Sequence, residues 1–337
     1  MDAAAHEGED RAGPRLPAGT RVAIFAGRKG NQVICEGVAA ALGVAPDIRP
    51  LAPRRLFAAA APFGPVDPLD RPRPPFPDIA LASGRVAVPY LRDLKRRSPA
   101  TFAVFLQDPR VGRSRFDLIW LPEHDRWRGP NAVVTLLSPH PLTPARLAAA
   151  RAAPPPRIAA MPAPRVALLL GGDSRTHRFA PADMAALADI AAGLVAAGHS
   201  LMITPSRRTP AALLERLRVA LAGAPAGRVW LWDGTGDNPY LPMLAAADAI
   251  LVTADSANMV GEAAATGAPV HVYEPSGGSA KMTRFLDALV AAGAARRWSG
   301  ALERWRCAPL DSTAEVAAAI ARRYADFRAG AGRVTPK

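Results

Sequence analysis

The chain has 337 residues, half of them hydrophobic, a formal net charge of +13 and two cysteines. This length accommodates two domains of ordinary size. The apolar content excludes general disorder, and the lack of any run of roughly 18 uncharged apolar residues excludes a membrane-spanning helix. Only four of the 42 basic residues are lysines, amid abundant Ala and Pro, so a compositional bias towards Arg accounts for much of the charge; without an RRM, zinc-finger or helix-turn-helix pattern, no nucleic-acid partner is expected.

Residues 1–18 carry acids, Gly and Pro with no apolar segment of signal-peptide type. They read as a disordered leader, with a cytoplasmic location as the expectation. Cys35 and Cys307 lie far apart with no CxxC or Cys/His cluster, so neither a disulfide framework nor a structural zinc is indicated, and both read as reduced and partly buried. Short apolar runs at 21–26, 78–83, 101–107, 116–122 and 132–137 then read as strands, with helices near 31–42, 85–97 and 143–152. Between the first two strands, residues 50–77 are dense in Pro and read as an irregular excursion.

A second Pro-rich stretch, 150–165, reads as an extended connector, after which strands at 165–170, 200–204, 228–232, 249–253 and 269–273 alternate with helices near 181–197, 209–222, 238–246, 256–266 and 279–292. The expected architecture is α/β: two Rossmann-like domains, 19–155 and 164–305, facing across a cleft and joined by a linker at 156–163. The last segment, 306–337, holds a helix near 312–328 that can return to the first domain.

The turns after these strands carry the candidate chemistry, because ligands of open α/β sheets bind beyond the carboxyl ends of the strands. In the second domain, Gly171 and Gly172 allow close backbone approach, and Ser174 and Arg175 add a hydroxyl and a charge suited to a diphosphate. Asp255 and Ser256 cap a helix whose exposed N–H groups favour an anion; Met259 and Glu262 lie in that helix, and a carboxylate there can take ribose hydroxyls. Ser206, Arg207 and Arg208 follow another strand and can neutralise a diphosphate. Each also has a plainer reading, as a tight turn, an N-cap or a solvated residue.

In the first domain, Gly27, Lys29, Gly30, Asn31 and Gln32 form a glycine turn fit for a phosphate or an acceptor, though it is neither GxGxxG nor a P-loop. Asp108, Glu123, His124 and Asp125 also follow strands and are the general-base candidates, with local capping as the alternative role of Asp108 and Asp125. No DxD metal motif and no metal-ligand cluster stands out, so no metal is expected.

The motif order "GRKGNQ", "LQDPR", "FDLIWLPEHDRWRGPN", "LLLGGDSRTHRF", "ITPSRRTP", "NPYLPMLAAADAILVTADSANMVGEAAATGAPV" and "KMTRFLDALVAAG" resembles the mitochondrial-fission "elongated mitochondria" (ELM) family from about Arg21 to Leu302. It departs from the family at the first turn, where Lys29-Gly30 precede Asn31 in place of acidic residues, so no acid role is implied there. The resemblance implies a GT-B glycosyltransferase-like second domain and a metal-independent enzyme that moves a sugar from a nucleoside-diphosphate sugar, a co-substrate rather than a tightly bound cofactor. The acceptor is unidentified, with a lipid or an envelope glycan as candidates. The alternative is a non-catalytic adaptor or membrane-surface protein that retains the fold, cytoplasmic or peripheral at the inner membrane.

Overall fold

The computed structural model describes residues 16–306 and 308–331, so Cys307 and residues 1–15 of the expected leader lie outside the described residues. The chain forms two compact units. One combines 1–141 with 311–337, and the other is 142–310.

The first unit opens with β1 (Val22–Ala26), α1 (Lys29–Ala41), β2 (Asp47–Pro50), α2 (Arg55–Ala60), β3 (Ile79–Ser83), α3 (Ala87–Arg97), β4 (Phe102–Leu106), β5 (Leu118–Pro122) and β6 (Ala132–Thr135). The six strands form one parallel sheet in the order β2-β1-β3-β4-β5-β6. β1, β3, β4 and β5 are buried along their whole length, because a parallel sheet is covered on both faces and its strands read as continuous apolar runs. The two-residue period then divides each strand between two cores. Val22 and Ile24 face α1, whereas Ala23 and Phe25 face the α3 side, where Tyr90, Leu91 and Leu94 are buried.

The second unit comprises α4 (Pro144–Ala152), α5 (Pro156–Ala159), β7 (Arg165–Leu170), α6 (Pro181–Ala196), β8 (Ser200–Pro205), α7 (Ala211–Ala220), β9 (Val229–Leu231), α8 (Tyr240–Ala246), β10 (Ala249–Thr253), α9 (Ala257–Ala264), β11 (Val270–Tyr273), α10 (Ala280–Ala291) and β12 (Arg296–Arg297). Its parallel sheet runs β12-β11-β10-β7-β8-β9, the doubly wound order in which β7 is flanked by strands reached in opposite directions. Val166, Leu168 and Leu170 of β7 pack with Leu187, Leu194, Leu213 and Leu217 of α6 and α7. α8 packs on β7, and α9 on β10 and β11.

The last helix, α11 (Ser312–Ala331), belongs to the first unit. Val316, Ile320 and Tyr324 complete the core beneath α1, and Phe102 meets the Tyr324 and Phe327 rings edge-on at 5.8 and 5.4 Å. Ser312 Oγ accepts from Leu137 N at 3.1 Å, and Arg323 donates to the Ala132 carbonyl at 3.0 Å.

Three expectations from the sequence are corrected. The units divide at 141/142, not at 155 and 164. α4 belongs to the second unit, where Arg151 donates to the Ala245 and Thr266 carbonyls at 3.0 and 2.8 Å. The expected connector at 156–163 is packed: α5 buries Ile158 fully, Met161 is 3% exposed, and Arg157 lies 4.9 Å over the Trp230 ring. Leu16, inside the expected leader, packs against the first-unit core. The excursion at 50–77 contains the short helix α2 and is otherwise irregular, yet it is firmly held. Asp67 accepts from Arg54, Asp70 accepts from Ala52 N and Tyr90, and Arg71 pairs with Asp93.

Candidate functional site

In the second unit the topological switch lies between β7 and β10, and the loops beyond their carboxyl ends bring together residues far apart in sequence. Asp255, directly after β10, is buried beneath the Gly171-Gly172 turn. Its Oδ2 accepts from Gly172 N at 2.9 Å and Arg208 Nη2 at 3.2 Å, while Oδ1 accepts from Thr253 Oγ1 at 2.7 Å. Thr253 in turn accepts from Gly171 N at 2.8 Å. A Cβ on Gly171 would lie 1.9 Å from the Asp255 carboxylate, and one on Gly172 would lie 2.0 Å from the Arg208 carbonyl oxygen. The two glycines are therefore required by the protein's own carboxylate and backbone, a demand that stands beside any approach of a ligand to the turn.

Arg208 likewise turns inward. Besides Asp255 it donates to the Asp173 carbonyl at 3.0 Å, and Thr209 Oγ1 donates to the Leu170 carbonyl at 3.0 Å. Ser206 Oγ accepts from Arg208 N at 3.2 Å, and Ser174 Oγ accepts from the amides of Thr176 and His177 at 3.2 and 3.0 Å. These two hydroxyls thus shape their own turns. The 174–178 loop is also laced to the turn after β11 through a His177–Gly277 bridge and the Arg178 N to Ser276 O bond at 2.9 Å. Gly277, at φ +100°, is needed there because a Cβ would meet the Thr176 carbonyl oxygen at 2.4 Å.

Several groups remain for a ligand. Arg175 and Arg207 are exposed and have no ion pair among the described residues. Ser256 caps α9 by accepting from Met259 N at 3.4 Å. Asn258 and Ala257, at the first positions of that helix, have amides without an intrahelical acceptor. Glu262, one turn further on, accepts from the Tyr240 hydroxyl at 2.6 Å through Oε2. Burial pushes the Glu262 carboxyl above its ordinary range against the opposing Tyr240 bond, and burial together with Glu262 pushes the Tyr240 hydroxyl up. Tyr240 was not singled out in the sequence; it lies 22 residues upstream of its partner, and no local signal links the two.

In the first unit the corresponding switch lies between β1 and β3. Gly27 follows β1, and a Cβ there would stand 3.3 Å from the Leu51 carbonyl oxygen. Gly30 sits in the first turn of α1 with open space around it. The Asn31 amide fills the place a Cβ on Gly84 would take, 2.0 Å away, so Gly84 at φ +89° accommodates this side chain. Gln32 donates to Glu36 at 2.6 Å and Lys29 pairs with the same carboxylate at 3.4 Å. This turn presents an amide and backbone at the strand ends, with its lysine turned along the helix.

Asp108 is held by Arg113 in a bidentate pair, both bonds 2.9 Å, and by Arg110 N at 2.8 Å. Burial pushes its carboxyl up, and the bonds from Arg113 and Arg110 more than offset this, leaving it below its usual range. This engagement fits the local capping role named beside its candidacy as a base. Glu123 is exposed and His124 half-buried on the loop after β5, and Arg128 braces that loop by donating to the carbonyls of Glu123, Asp125 and Trp127. Among the described residues no group of three or more His, Cys, Asp or Glu is placed to hold a metal, and no helix is long and apolar enough to cross a membrane.

Two doubly wound parallel sheets, with a glycine turn after the first strand of each, define a GT-B-like α/β protein. The same fold occurs in the UDP-GlcNAc 2-epimerase of Methanocaldococcus jannaschii, which aligns at a TM-score of 0.50 and 11% identity over 92% of both chains. The chain belongs to the mitochondrial fission ELM1 family, whose model matches residues 29–324. The Arabidopsis thaliana mitochondrial fission protein ELM1 is 32% identical over 277 residues, 74% of this chain. An uncharacterized Rickettsia prowazekii protein is 30% identical over 164 residues, 46% of this chain. The matched regions span 64% of the plant relative's length and 45% of the rickettsial one's.

Proposed function

We propose that the second unit binds a nucleoside-diphosphate sugar beyond the carboxyl ends of β7 and β10 and that the protein transfers the sugar to an acceptor hydroxyl. The observation that carries this reading is the braced switch point itself. Asp255, Arg208 and Thr253 hold the glycine turn from within, leaving Arg175, Arg207 and the first amides of α9 to meet a diphosphate. Glu262 keeps one carboxylate oxygen on Tyr240 and offers the other to a ribose hydroxyl. The fold is shared with a protein whose name specifies a UDP-sugar.

In the reaction, the acceptor oxygen forms a bond to the anomeric carbon while the bond from that carbon to the diphosphate oxygen breaks. The acceptor proton passes to a base, and the diphosphate departs with the electron pair, stabilised by the arginines and helix amides. Glu123 and His124 are the base candidates. The turn at Gly27, Lys29, Gly30, Asn31 and Gln32 belongs to the acceptor side, and lipids or envelope glycans are the acceptor classes to screen, with peripheral membrane contact following from a lipid.

A binding role without turnover is the second reading, favoured by the engagement of Asp108 with Arg113. Thermal-shift screening against UDP-, GDP-, ADP- and CMP-sugars, followed by turnover assays with any binder, tests both. A donor that raises the melting temperature supports the site. Turnover falling roughly 10²–10⁴-fold in His124→Ala or Glu123→Gln supports catalysis. Binding with no turnover selects the adaptor, and no binding by any donor overturns the nucleotide reading.

A further inference from the structure

A cavity of about 420 Å³ in the first unit, outside the strand-end turns considered above, is lined by Arg71, Arg92, Arg96 and Arg115 together with Asp93 and a frame of Gly64, Pro65, Pro68 and Pro89. Four guanidinium groups face one carboxylate, an excess of three positive charges around a space of small-ligand size. Here they converge, and convergence of like charges is unfavourable unless something anionic offsets it.

Asp93, buried on α3, organises the cluster. Its Oδ1 accepts from Arg71 at 2.5 Å and Arg96 at 2.7 Å, and its Oδ2 from Arg71 and Arg97, both at 2.8 Å. The carboxylate is saturated by these bonds and held far below its usual range, chiefly by Arg71. It has no capacity to neutralise Arg92 or Arg115, neither of which has an acidic partner among the described residues. Arg92 is nonetheless half-buried. It is laid across the turn at Gly112, whose φ of +62° and missing Cβ give it room, since a Cβ there would lie 3.1 Å from Arg92 Nε. Next to the lining residue Pro68, Asp67 is bonded to Arg54 and Leu69, and Arg97 anchors to the Pro72 carbonyl at 2.6 Å. The lining thus combines a saturated carboxylate with two arginines, the half-buried Arg92 and the exposed Arg115, that have no acidic partner among the described residues.

We propose that this cavity is a binding site for a phosphate monoester or diphosphate group, with Arg92 and Arg115 as its direct ligands and Asp93 as the positioning residue that holds Arg71 and Arg96 around it. Planar forked guanidinium groups match the tetrahedral oxygens of a phosphoryl group and are the side chains of choice for it. The site is independent of the nucleotide-sugar reading, because none of its residues lies in the second unit.

The test uses the full chain with Arg175→Gln and Arg207→Gln in place, so that the second-unit arginines do not contribute. Inorganic pyrophosphate is titrated calorimetrically into this protein and into the same protein carrying Arg92→Gln and Arg115→Gln. These positions were chosen because neither bonds to Asp93, so the ligand-free melting temperature should not change. The expected result is saturable binding weakened at least about tenfold by the Arg92 and Arg115 substitutions. Absent binding, or equal affinity in both proteins, overturns the site. Co-sedimentation with phosphatidylcholine vesicles containing phosphatidic acid distinguishes the source: sedimentation that depends on Arg92 and Arg115 assigns a lipid headgroup, and pyrophosphate binding without it assigns a soluble phosphate. Should Arg92→Gln and Arg115→Gln lower the ligand-free melting temperature, Arg92→Lys, which keeps the charge and loses the fork, replaces them; undiminished affinity in that variant counts against the site.

Discussion

Replacing Gly171 by Ala and Asp255 by Ala, singly and together, tests what the glycine turn is built around. The methyl group introduced at position 171 would stand 1.9 and 2.2 Å from the two carboxylate oxygens of Asp255 and 2.3 Å from its Cγ, so Gly171→Ala overpacks the turn at a cost of about 1–3 kcal/mol. Asp255→Ala removes the acceptor of Gly172 N, Thr253 Oγ1 and Arg208. The buried amide bears most of that loss, because Arg208 keeps 46% of its side chain in water, and the total is about 2–4 kcal/mol. Removing Cγ and both oxygens also clears the space the new methyl needs, so the double variant should recover about 1–2 kcal/mol relative to the sum of the singles. Urea unfolding of the four proteins measures this coupling, and the Asp255→Ala melting temperature should drop by roughly 4–16 °C. Additivity within about 0.5 kcal/mol would refute the argument that the carboxylate demands the glycine.

Arg151→Ala should cost about 1–2 kcal/mol by releasing the Ala245 and Thr266 carbonyls, read as faster hydrogen exchange in α8; unchanged exchange would argue against α4 as part of the second unit. Burial holds the imidazole of His140 below its ordinary 6.5 despite Asp311 nearby. The unfolded chain therefore binds the proton more readily, and this contribution to stability is present above pH 6.5 and lost as the pH falls below it. Melting temperatures across that range check the sign, and a His140 imidazole titrating at or above 6.5 by NMR would contradict it. Asp67→Asn should loosen the Pro-rich excursion, whose Arg54 holds the Asp67 carboxyl at about 2; limited proteolysis is expected to cut within 50–77 faster in the variant than in the native protein, and equal rates would refute this.

The features legible in the sequence are those written locally. β1, β3, β4, β7 and β10 are continuous apolar runs because both faces of their sheets are covered, and Ser256 announces α9 by its capping chemistry. β2 left no such mark: Asp47–Pro50 is an exposed edge segment of Asp, Ile, Arg and Pro, defined by pairing with β1. The position of the candidate turns at strand ends was legible too, because each follows an apolar run, but the bonding inside them was not. The bond from Gly172 to Asp255 spans 83 residues, and only the fold reveals that the carboxylate fills the space the glycines leave. The pairing of Arg71 with Asp93 was hidden for the same reason, the two lying 22 positions apart with β3 between them, whereas Arg96 and Arg97 reach that carboxylate along α3 itself.

The first unit is closed by a helix that follows the second unit in the chain. Val316, Ile320 and Tyr324 seal the core beneath α1, yet the whole of 142–310 is made between Pro141 and these residues. On a translating ribosome, at roughly 5–20 residues per second, that interval lasts on the order of ten to thirty seconds. During it the sheet of the first unit is fully synthesised, and the apolar face awaiting α11 has no covalent partner to bury it. The second unit, contiguous in sequence, has no such delay. The first unit can therefore complete its core only after the second has been made, and its nascent sheet is the stage at which a chaperone has something to hold.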